Sequence, residues 1–267
     1  MRIVLDPGHG GQDPGASGYG MSEKTLTLDL AKQTAWQLTE RYEGVQLMLT
    51  RNDDTYVSLS QRTELANRWQ ADFFLSLHHN AGGGTGFESY IYTRTPERTK
   101  AYQETLHNRA VQFLQQEGFP DRGRRTANFA VLRQTDMPAV LLENLFLDHV
   151  KDANYLKQAA FRRQLAAAIA AGVAQALALT RKKAPPASIP EPTEGLFRVQ
   201  VGAFQRAEHA QVLAEQLQAE GFDSYIYRQS GMFKVQAGAF SEWENAEVLA
   251  RRLQENGFDT YIYREEP

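Results

Sequence analysis

Residues 1–11 read MRIVLDPGHGG, an apolar run that stops at a glycine-rich turn. The run predicts a β-strand, and the glycines let the backbone turn sharply with His9 at the carboxyl end of that strand. Residues 73–84 repeat the arrangement, because an apolar run ends at His78 and three glycines follow. Sites in α/β sheets assemble at the carboxyl edges of strands. We therefore predict that His9 and His78 lie at one functional edge of a sheet.

Strand-like and helix-like segments alternate through the first 180 residues. The predicted helices cover about 26–42, 60–69, 101–117 and 154–179, and the predicted strands cover 2–5, 46–50, 73–77, 86–92 and 139–142. This alternation predicts an α/β fold with a mixed sheet flanked by helices. The most apolar segment, Leu165 to Leu179, is only 15 residues long and contains Gln175. It therefore predicts a packed core helix and not a membrane span.

Length and composition limit the class of protein. At 267 residues the chain exceeds what one compact core usually organises, so two domains are expected. The formal net charge of -3 gives no basic field, and we expect neither nucleic acid nor a membrane as a partner. The chain has no cysteine, which excludes disulfides, thiolate zinc sites and a cysteine nucleophile. Any metal must then be held by histidine and carboxylate ligands.

A proline-rich segment divides the chain. Residues 181–195 hold four prolines and almost no large apolar side chain, a composition typical of a semi-extended linker. We therefore predict a first domain over residues 1–180, this linker, and a second domain over residues 196–267.

The second domain contains an internal repeat. Residues 197–227 and 233–263 are identical at 19 of 31 aligned positions. Each copy predicts a strand, a helix with apolar residues at helical spacing, a Gly-Phe-Asp turn and a second strand. Two copies are too few for a solenoid. Their order, β-α-β-β-α-β, is that of a small α+β ferredoxin-like domain, in which both helices cover one face of an antiparallel sheet.

The other face of that sheet must meet solvent or a ligand. Strand alternation sends Phe197, Val199 and Val201 to one side, so the residues between them project to the other. In the closing strand of each copy the isoleucine is expected to point to the helices and its flanking tyrosines to the open face. The candidate binding residues on this face are Gln200, Tyr225, Tyr227, Gln236, Tyr261 and Tyr263.

Four separate motifs of the first domain carry a resemblance to a known family. Residues 9–16 (HGGQDPGA), 23–24 (EK), 76–81 (SLHHNA) and 138–143 (PAVLLE) resemble, in the same order, motifs of the N-acetylmuramoyl-L-alanine amidase family called amidase 3. The resemblance covers roughly residues 1–180, and several motifs in one order are far more specific than any one alone. It implies a zinc-dependent hydrolase that cleaves the amide bond between N-acetylmuramic acid and L-alanine in peptidoglycan.

The resemblance also implies roles for four side chains. His9, Glu23 and His78 would bind one zinc ion per chain, and two nitrogens with one carboxylate and an open fourth position form a catalytic zinc pattern. Such a metal polarises the amide carbonyl and lowers the pKa of water towards about 7. Glu143 would move a proton from the attacking water to the leaving amine. Without the resemblance, Glu23 is equally well explained as a charge at a helix start, which the helix dipole favours by about 0.3 to 1 kcal/mol.

The sequence around Glu143 supports this role and also departs from the family. Residues 138–142 are nonpolar, so Glu143 ends a buried strand, where a carboxylate costs free energy unless it is used or paired. The family commonly has a small residue, often glycine, before the aromatic residue that follows, and an asparagine-proline pair soon after. Residues 144–149 read NLFLDH instead. We therefore expect the loop beyond Glu143 to differ, with consequences for substrate fit.

The other histidines are weaker candidates for the site. His79 directly follows a proposed ligand, but in an extended strand its side chain points to the opposite face. His149 is a minor rival because it lies shortly after Glu143. His107 and His209 lie in helical patterns typical of a solvent-exposed surface.

The second domain resembles the SPOR (sporulation-related repeat) domain. The resemblance rests on residues 198–204 (RVQVGAF), their copy at 234–240 (KVQAGAF) and the Gly-Phe-Asp turns, and it covers nearly all of residues 195–265. SPOR domains are associated with peptidoglycan glycan strands. The resemblance implies that the open-face tyrosines and glutamines bind glycan, because tyrosine rings stack on the apolar faces of sugars and glutamines hydrogen-bond their hydroxyls.

Two alternatives to glycan are open at this face. RNA-recognition modules share the β-α-β-β-α-β order and stack bases on sheet aromatics. Residues 193–267, however, hold seven Lys and Arg against twelve Asp and Glu, a net charge of -5 that repels phosphate backbones. The remaining alternative is that the tyrosines form the face of a dimer.

Together the two resemblances predict an autolysin whose partner is peptidoglycan, with the stem peptide in the first domain and glycan strands in the second. The start of the chain shows no signal peptide. We therefore expect a sporulation enzyme that accumulates in the mother-cell cytoplasm, is released on lysis and acts at the cell wall. The alternatives are a phage endolysin, a non-catalytic peptidoglycan-binding or amidase-activating protein, and a zinc peptidase that cuts elsewhere in the stem.

Overall fold

The computed structural model describes residues 1–182 and 195–264. The chain divides into two compact units, Met1–Lys182 and Lys183–Pro267. Most of the predicted linker, residues 183–194, lies outside the described residues, so the predicted domain boundaries stay a prediction. Among the described helices, none combines the length and the apolar character that a membrane crossing requires.

The first unit is built around one six-stranded sheet. The strands of the unit are β1 (Arg2–Pro7), β2 (Ser17–Gly18), β3 (Met21–Ser22), β4 (Gln46–Leu49), β5 (Phe73–Asn80), β6 (Phe87–Tyr92), β7 (Asp121–Ala127) and β8 (Ala139–Phe146), and all but β2 and β3 belong to the large sheet. Its helices are α1 (Glu23–Arg41), α2 (Leu59–Arg68), α3 (Glu97–Gln116), α4 (Ala130–Arg133), α5 (Val150–Leu156) and α6 (Ala159–Ala176). The sheet order is β4-β1-β5-β8-β6-β7, while β2 and β3 pair separately. All neighbours in the large sheet are parallel except β6 and β8, which confirms the predicted mixed sheet.

The two faces of this sheet are covered unequally. Helices α1, α3 and α6 contribute to the larger core, where Phe73, Leu75 and Leu77 of β5 are fully buried. The opposite face has a smaller core that includes Phe74, and the short helix α4 and part of α2 contribute to it. Because side chains alternate along a strand, His78 projects to the same thinly covered face as Phe74.

Several boundaries differ from the sequence-based expectations. Strand β5 continues to Asn80 and β8 to Phe146, so the predicted site residues on them lie within strands rather than just beyond them. Helix α1 begins at Glu23, about one turn before the predicted start. The helix predicted over residues 154–179 is two helices, α5 and α6. Strand β7 escaped prediction because its sequence, DRGRRTA, lacks apolar alternation.

The second unit has the predicted ferredoxin-like architecture. Its elements are β9 (Phe197–Phe204), α7 (Ala207–Ala219), β10 (Tyr225–Gln229), β11 (Met232–Phe240), α8 (Trp243–Glu255) and β12 (Tyr261–Arg264). The antiparallel sheet has the order β10-β11-β9-β12. Val199 and Val235 of the two central strands are fully buried in a core with residues of α7 and α8, and Ile226 and Ile262 pack against this core. The face that carries these residues is the predicted helix-covered face.

Candidate metal centre and tyrosine face

Three of the predicted side chains converge where β1, α1 and β5 meet. His9 directly follows β1 and its short turn, Glu23 begins α1, and His78 lies near the end of β5. One ligand atom from each residue lies within 4.8 Å of the other two. Nε2 of His9 is 3.1 Å from Oε2 of Glu23, and Nδ1 of His78 is 2.9 Å from Oε1. The structure therefore assembles these three side chains into one cluster, hereafter the His-Glu-His cluster.

Two glycines leave the space that the imidazoles occupy. A Cβ added to Gly8 would lie 2.2 Å from Cε1 of His78, which no real contact allows. A Cβ added to Gly15 would lie 2.6 Å from both Oε2 of Glu23 and Cδ2 of His9, and Gly15 has a φ of 65°. The glycines of the opening motif are thus required by the packing of the cluster as well as by the turn.

Glu23 is fixed by donors on both carboxylate oxygens. The backbone N–H of Ala16 donates to Oε2 over 2.8 Å and that of His79 donates to Oε1 over 3.1 Å. Burial would raise the pKa of Glu23, but hydrogen bonds from His78 and His9 and their charges lower it well below its usual range. Burial in turn lowers the pKa of His9 and of His78, but nearby carboxylates raise both above the usual value. Glu23 acts on both rings, and it is joined by Asp13 at His9 and by Glu143 at His78. The cluster is therefore a charged carboxylate between two imidazoles with high proton affinity.

The donor set fits zinc. In a tetrahedral site with bonds of about 2.0–2.2 Å, ligand atoms lie roughly 3.3–3.6 Å apart. In the His-Glu-His cluster one ligand atom from each residue lies within 4.8 Å of the other two, so a small movement suffices to bind such an ion. Nδ1 of His9 lies 2.9 Å from Oδ2 of Asp13, which orients the ring with Nε2 towards Glu23. A carboxylate behind a ligating histidine is a common feature of zinc sites. Within residues 1–182 and 195–264 this is the one group of such side chains close enough to hold a metal ion.

Glu143 lies beside the cluster on the neighbouring strand. It is in register with His78 across β8 and β5, and both line a cavity of about 280 Å³ together with His9. Oε2 of Glu143 is buried and has no hydrogen-bond partner within the described residues. Burial raises the pKa of this carboxyl to about 7. Its proton therefore exchanges near neutral pH, as a general acid or base requires.

A network of buried hydrogen bonds stabilises the loop that carries His9. The carboxylate of Asp6 accepts hydrogen bonds from Arg62 Nη1 over 2.7 Å, Thr50 Oγ1 over 2.6 Å and Ser76 Oγ over 2.7 Å. Arg62 also donates to the backbone oxygen of His9 over 2.7 Å. The sequence analysis did not identify this support. The available signal was the position of Asp6 within the opening motif, three residues before His9.

The other histidines lie apart from the cluster. His79 is buried on the opposite face of the sheet and its Nδ1 contacts the backbone oxygen of Asn144, as its position in the strand predicts. His149 lies 2.8 Å from Asp152 through Nδ1. The expectation of a solvent-exposed His107 was wrong, because this residue is buried on the inner side of α3. His209 is exposed, as expected.

The residues directly after Glu143 remain within β8, and one of them has a positive φ although it is not a glycine. Leu145 has a φ of 66°, a conformation that L side chains rarely adopt, and it is fully buried. Burial of the leucine side chain in the larger core offsets the backbone strain. The departure from the family pattern is therefore one of residue type, while the positive φ that favours glycine is present.

The predicted open-face residues of the second unit form a row across its sheet. Tyr225, Gln236, Gln200 and Tyr261 are successive partners in register on β10, β11, β9 and β12. The rings of Tyr225 and Tyr227 stack at 5.9 Å, and those of Tyr261 and Tyr263 at 5.8 Å. The hydroxyls of Tyr227 and Tyr263 are 2.6 Å apart.

One residue of this row is not at the surface. Gln236 is 5% exposed, and its Oε1 accepts a hydrogen bond from Arg198 Nη1 over 2.9 Å. Gln236 lies on the central strand β11, and this hydrogen bond engages its amide oxygen. Tyr261, at the sheet edge, is 64% exposed. The edge tyrosines rather than Gln236 are therefore accessible to a ligand.

Two family profiles match the sequence of this chain. Residues 3–175 match the profile of the N-acetylmuramoyl-L-alanine amidase family, amidase 3. The chain belongs to this amidase family. Residues 158–228 match the SPOR domain. That match begins at the start of α6 in the first unit and ends after the first copy of the repeat, whereas the structure places both copies in one sheet.

Relatives and solved structures agree with the amidase assignment. The chain is 50% identical over 226 residues to the sporulation-specific N-acetylmuramoyl-L-alanine amidase of Bacillus subtilis (strain 168), covering 85% of this chain and 84% of the relative. It is 42% identical over 183 residues to the endolysin of Bacillus phage SPP1, covering 67% of each. An N-acetylmuramoyl-L-alanine amidase from Clostridium difficile 630 has a similar structure, with a TM-score of 0.63 and 34% identity over 66% of this chain and 96% of that one.

Proposed function

We propose that this chain is a zinc-dependent N-acetylmuramoyl-L-alanine amidase that degrades the cell wall in sporulation. The single observation that carries the proposal is the buried Oε2 of Glu143, which has no hydrogen-bond partner among the described residues and belongs to a side chain that lines one cavity with His9 and His78 of the His-Glu-His cluster. Burying a carboxylate oxygen without a donor costs free energy, and such groups concentrate at catalytic sites. The similarity to the sporulation-specific amidase of Bacillus subtilis supports the substrate class and the setting.

The cluster and Glu143 divide the work of amide hydrolysis. Zinc held by His9, Glu23 and His78 would supply a Lewis acid that polarises the amide carbonyl and acidifies water. Ionised Glu143 accepts a proton from the attacking water on Oε2 and delivers it to the amide nitrogen as the C–N bond breaks. The water oxygen becomes part of the new lactyl carboxylate, and both water protons end on the stem peptide as its new ammonium group. Asp13 and Ala16 hold His9 and Glu23 in place throughout.

The second unit would hold the enzyme on glycan strands. The stacked tyrosine pairs give a ridged aromatic surface, and Tyr225 and Tyr261 at the two sheet edges are its most exposed members. Sugar rings stack on such surfaces through their apolar faces. Binding to the wall would raise the local concentration of the catalytic unit on its substrate.

Hydrolysis of purified peptidoglycan tests the proposal. Zinc-loaded protein is expected to release stem peptides with a free L-alanine amino group and to leave free lactyl carboxylates, both identified by mass spectrometry. His9→Ala and Glu143→Gln are expected to abolish the release, and His209→Ala, an exposed histidine of the second unit, serves as the matched control. Products cut within the stem would instead identify a peptidase, and full activity in both variants would exclude the assigned site.

A phage endolysin is the second candidate, because the SPP1 endolysin is 42% identical over 67% of the chain. The match to a SPOR domain favours the sporulation enzyme. The time of synthesis separates the two: immunoblots are expected to show the protein in late sporulation, and appearance only after prophage induction would identify an endolysin.

A further inference from the structure

A row of polar side chains crosses the sheet of the first unit, starting at the His-Glu-His cluster. His78 on β5 is in register with Glu143 on β8, and Glu143 is in register with Glu88 on β6. Side chains directly opposite each other on neighbouring strands share one face of a sheet. The row therefore runs along the thinly covered face towards the edge strand β7.

Glu88 forms ion pairs with two arginines of the edge strand β7. It is 3% exposed, and Oε1 accepts hydrogen bonds from Asn80 Nδ2 over 2.6 Å and Tyr90 OH over 3.1 Å. Oε2 lies 3.3 Å from Nε of Arg122 and 3.0 Å from Nε of Arg125. One carboxylate thus faces two guanidinium groups, so these three side chains together carry a net charge of +1.

The two guanidinium groups face solvent at their outer ends. The side chains of Arg122 and Arg125 are 34% and 46% exposed, and each uses its inner Nε for Glu88. Nη2 of Arg125 donates to the backbone oxygen of Arg122, while the terminal nitrogens of Arg122 make no hydrogen bond within residues 1–182 and 195–264. Outward N–H groups of this kind suit a carboxylate, which guanidinium groups recognise through paired hydrogen bonds.

The start of β7, which carries Arg122, is fixed by contacts on the other side of the sheet. Oδ1 of Asp121 accepts a hydrogen bond from the backbone of Gly123 over 2.7 Å and lies 2.9 Å from Nε2 of His107. Nδ1 of the same histidine lies 2.9 Å from the buried Oγ of Ser89. The guanidinium of Arg122 also stacks over the ring of Phe146, 4.8 Å from its centre. The arginine pair is therefore held in place before any ligand binds, which lowers the entropic cost of binding.

We infer that Arg122 and Arg125 form a subsite for a carboxylate of the stem peptide, on the leaving-group side of the cleaved amide. The inference rests on the proposed amidase function. The pair lies two strand spacings, about 10 Å, from Glu143. An extended peptide advances about 3.3–3.6 Å per residue, so this distance reaches the second or third residue of the stem. The ligand is thus an acidic stem peptide, and an amidated stem would lose the contact.

A matched pair of substrates tests the inference with the unaltered protein. One is a muramoyl tripeptide with free side-chain and terminal carboxylates, and the other is the same compound with these groups converted to carboxamides. Charge-assisted hydrogen bonds to arginine predict a KM roughly tenfold or more lower for the acidic compound, with a similar kcat. Equal KM values for the two compounds would overturn the subsite, even if every variant failed to fold.

Three variants of β7 locate the effect. Arg122→Gln and Arg125→Gln are each expected to raise the KM of the acidic compound towards that of the amidated one, with little change in kcat. Arg124→Gln is the matched control, because this arginine pairs with Glu104 of α3 at 3.0 Å on the other side of the sheet. Loss of discrimination in Arg124→Gln alone, or unchanged discrimination in both other variants, would contradict the assignment.

A binding measurement separates this inference from the proposed function. Calorimetric titration with the free acidic tripeptide and its amidated form needs no turnover. Tighter binding of the acidic form, lost in Arg125→Gln, would support the subsite in a protein that hydrolyses neither muramoyl compound. Hydrolysis of both compounds with equal KM, by contrast, would keep the amidase and remove the subsite.

Discussion

Two carboxylates reach the same centre from different elements, and their environments are opposite. Glu23, at the start of α1, is buried and accepts hydrogen bonds from two backbone N–H groups. Burial raises its pKa, but the hydrogen bonds and charges of His78 and His9 lower it below the usual range. Glu143, near the end of β8, has a buried oxygen without a donor, and burial raises its pKa to about 7. These environments support the proposed roles, which are metal binding for the charged, hydrogen-bonded Glu23 and proton transfer for Glu143.

Replacement of Glu143, the carboxylate without a hydrogen-bond donor on its buried oxygen, should give the largest effect on turnover. Glu143→Gln keeps the shape of the side chain but cannot carry a proton, so we expect kcat to fall by about 100- to 10,000-fold. Zinc content, measured by atomic emission, should stay at one ion per chain because the His-Glu-His cluster is intact. A variant that loses its zinc would show that the two carboxylates do not have separate roles.

Replacement of Glu23, the hydrogen-bonded carboxylate, should mainly lower the affinity for zinc. Glu23→Gln removes the charged ligand and leaves two histidines, so zinc affinity should fall on the order of 100-fold or more. Competition with a chromogenic chelator measures this affinity directly. Asp54→Asn is a suitable control, because Asp54 is an exposed carboxylate paired with Lys24 near the same helix start. Equal zinc affinity in Glu23→Gln and the parent would contradict the ligand assignment.

The space around Glu23 gives a sharper test with two glycines. Gly15 and Gly20 both have a positive φ, but only the Cβ of a substituted Gly15 would meet the cluster, since Gly20 has open space. Strain from the positive φ costs about 1–2 kcal/mol in either variant, and overpacking adds about 1–3 kcal/mol in Gly15→Ala. Urea unfolding of both variants measures the difference. Equal losses would show that the packing around Glu23 is loose.

The raised pKa of Glu143 should appear in the pH dependence of stability of the metal-free protein. The folded state holds this proton more tightly than the unfolded chain, whose glutamates titrate near their usual value. The stabilisation is therefore present below about pH 4.5 and is lost as pH rises through about 7. From pH 5 to pH 8 the free energy of unfolding of the parent should fall relative to Glu143→Gln, on the order of 2 kcal/mol. Parallel pH profiles for the two proteins would contradict the unpaired environment.

Local sequence patterns were sufficient where one element decides the outcome. The alternation of β9 placed Val199 in the core, and the repeat predicted the β-α-β-β-α-β element order and the antiparallel sheet of the second unit. The opening motif placed His9 at a strand end. Patterns failed where residues distant in the chain decide the structure. Strand β7 is polar and, among the described strands, pairs with β6 alone. His107 is buried, and its ring contacts Ser89 and Asp121 from two other strands. Gln236 is buried, and its amide oxygen accepts a hydrogen bond from Arg198 of the neighbouring strand β9.

The sequence by itself determined the two-part organisation, the helix-covered and open faces of the second sheet, and a family whose motifs contain His9, Glu23, His78 and Glu143. These follow from periodicity and short motifs, which depend on residues close together in the chain. Only the tertiary structure decided which groups line one cavity, which carboxylate has hydrogen-bond donors on both oxygens, and which arginines form ion pairs with Glu88. Hydrogen bonding, burial and charge depend on neighbours from separate strands, and the register of the folded sheet alone brings those neighbours together.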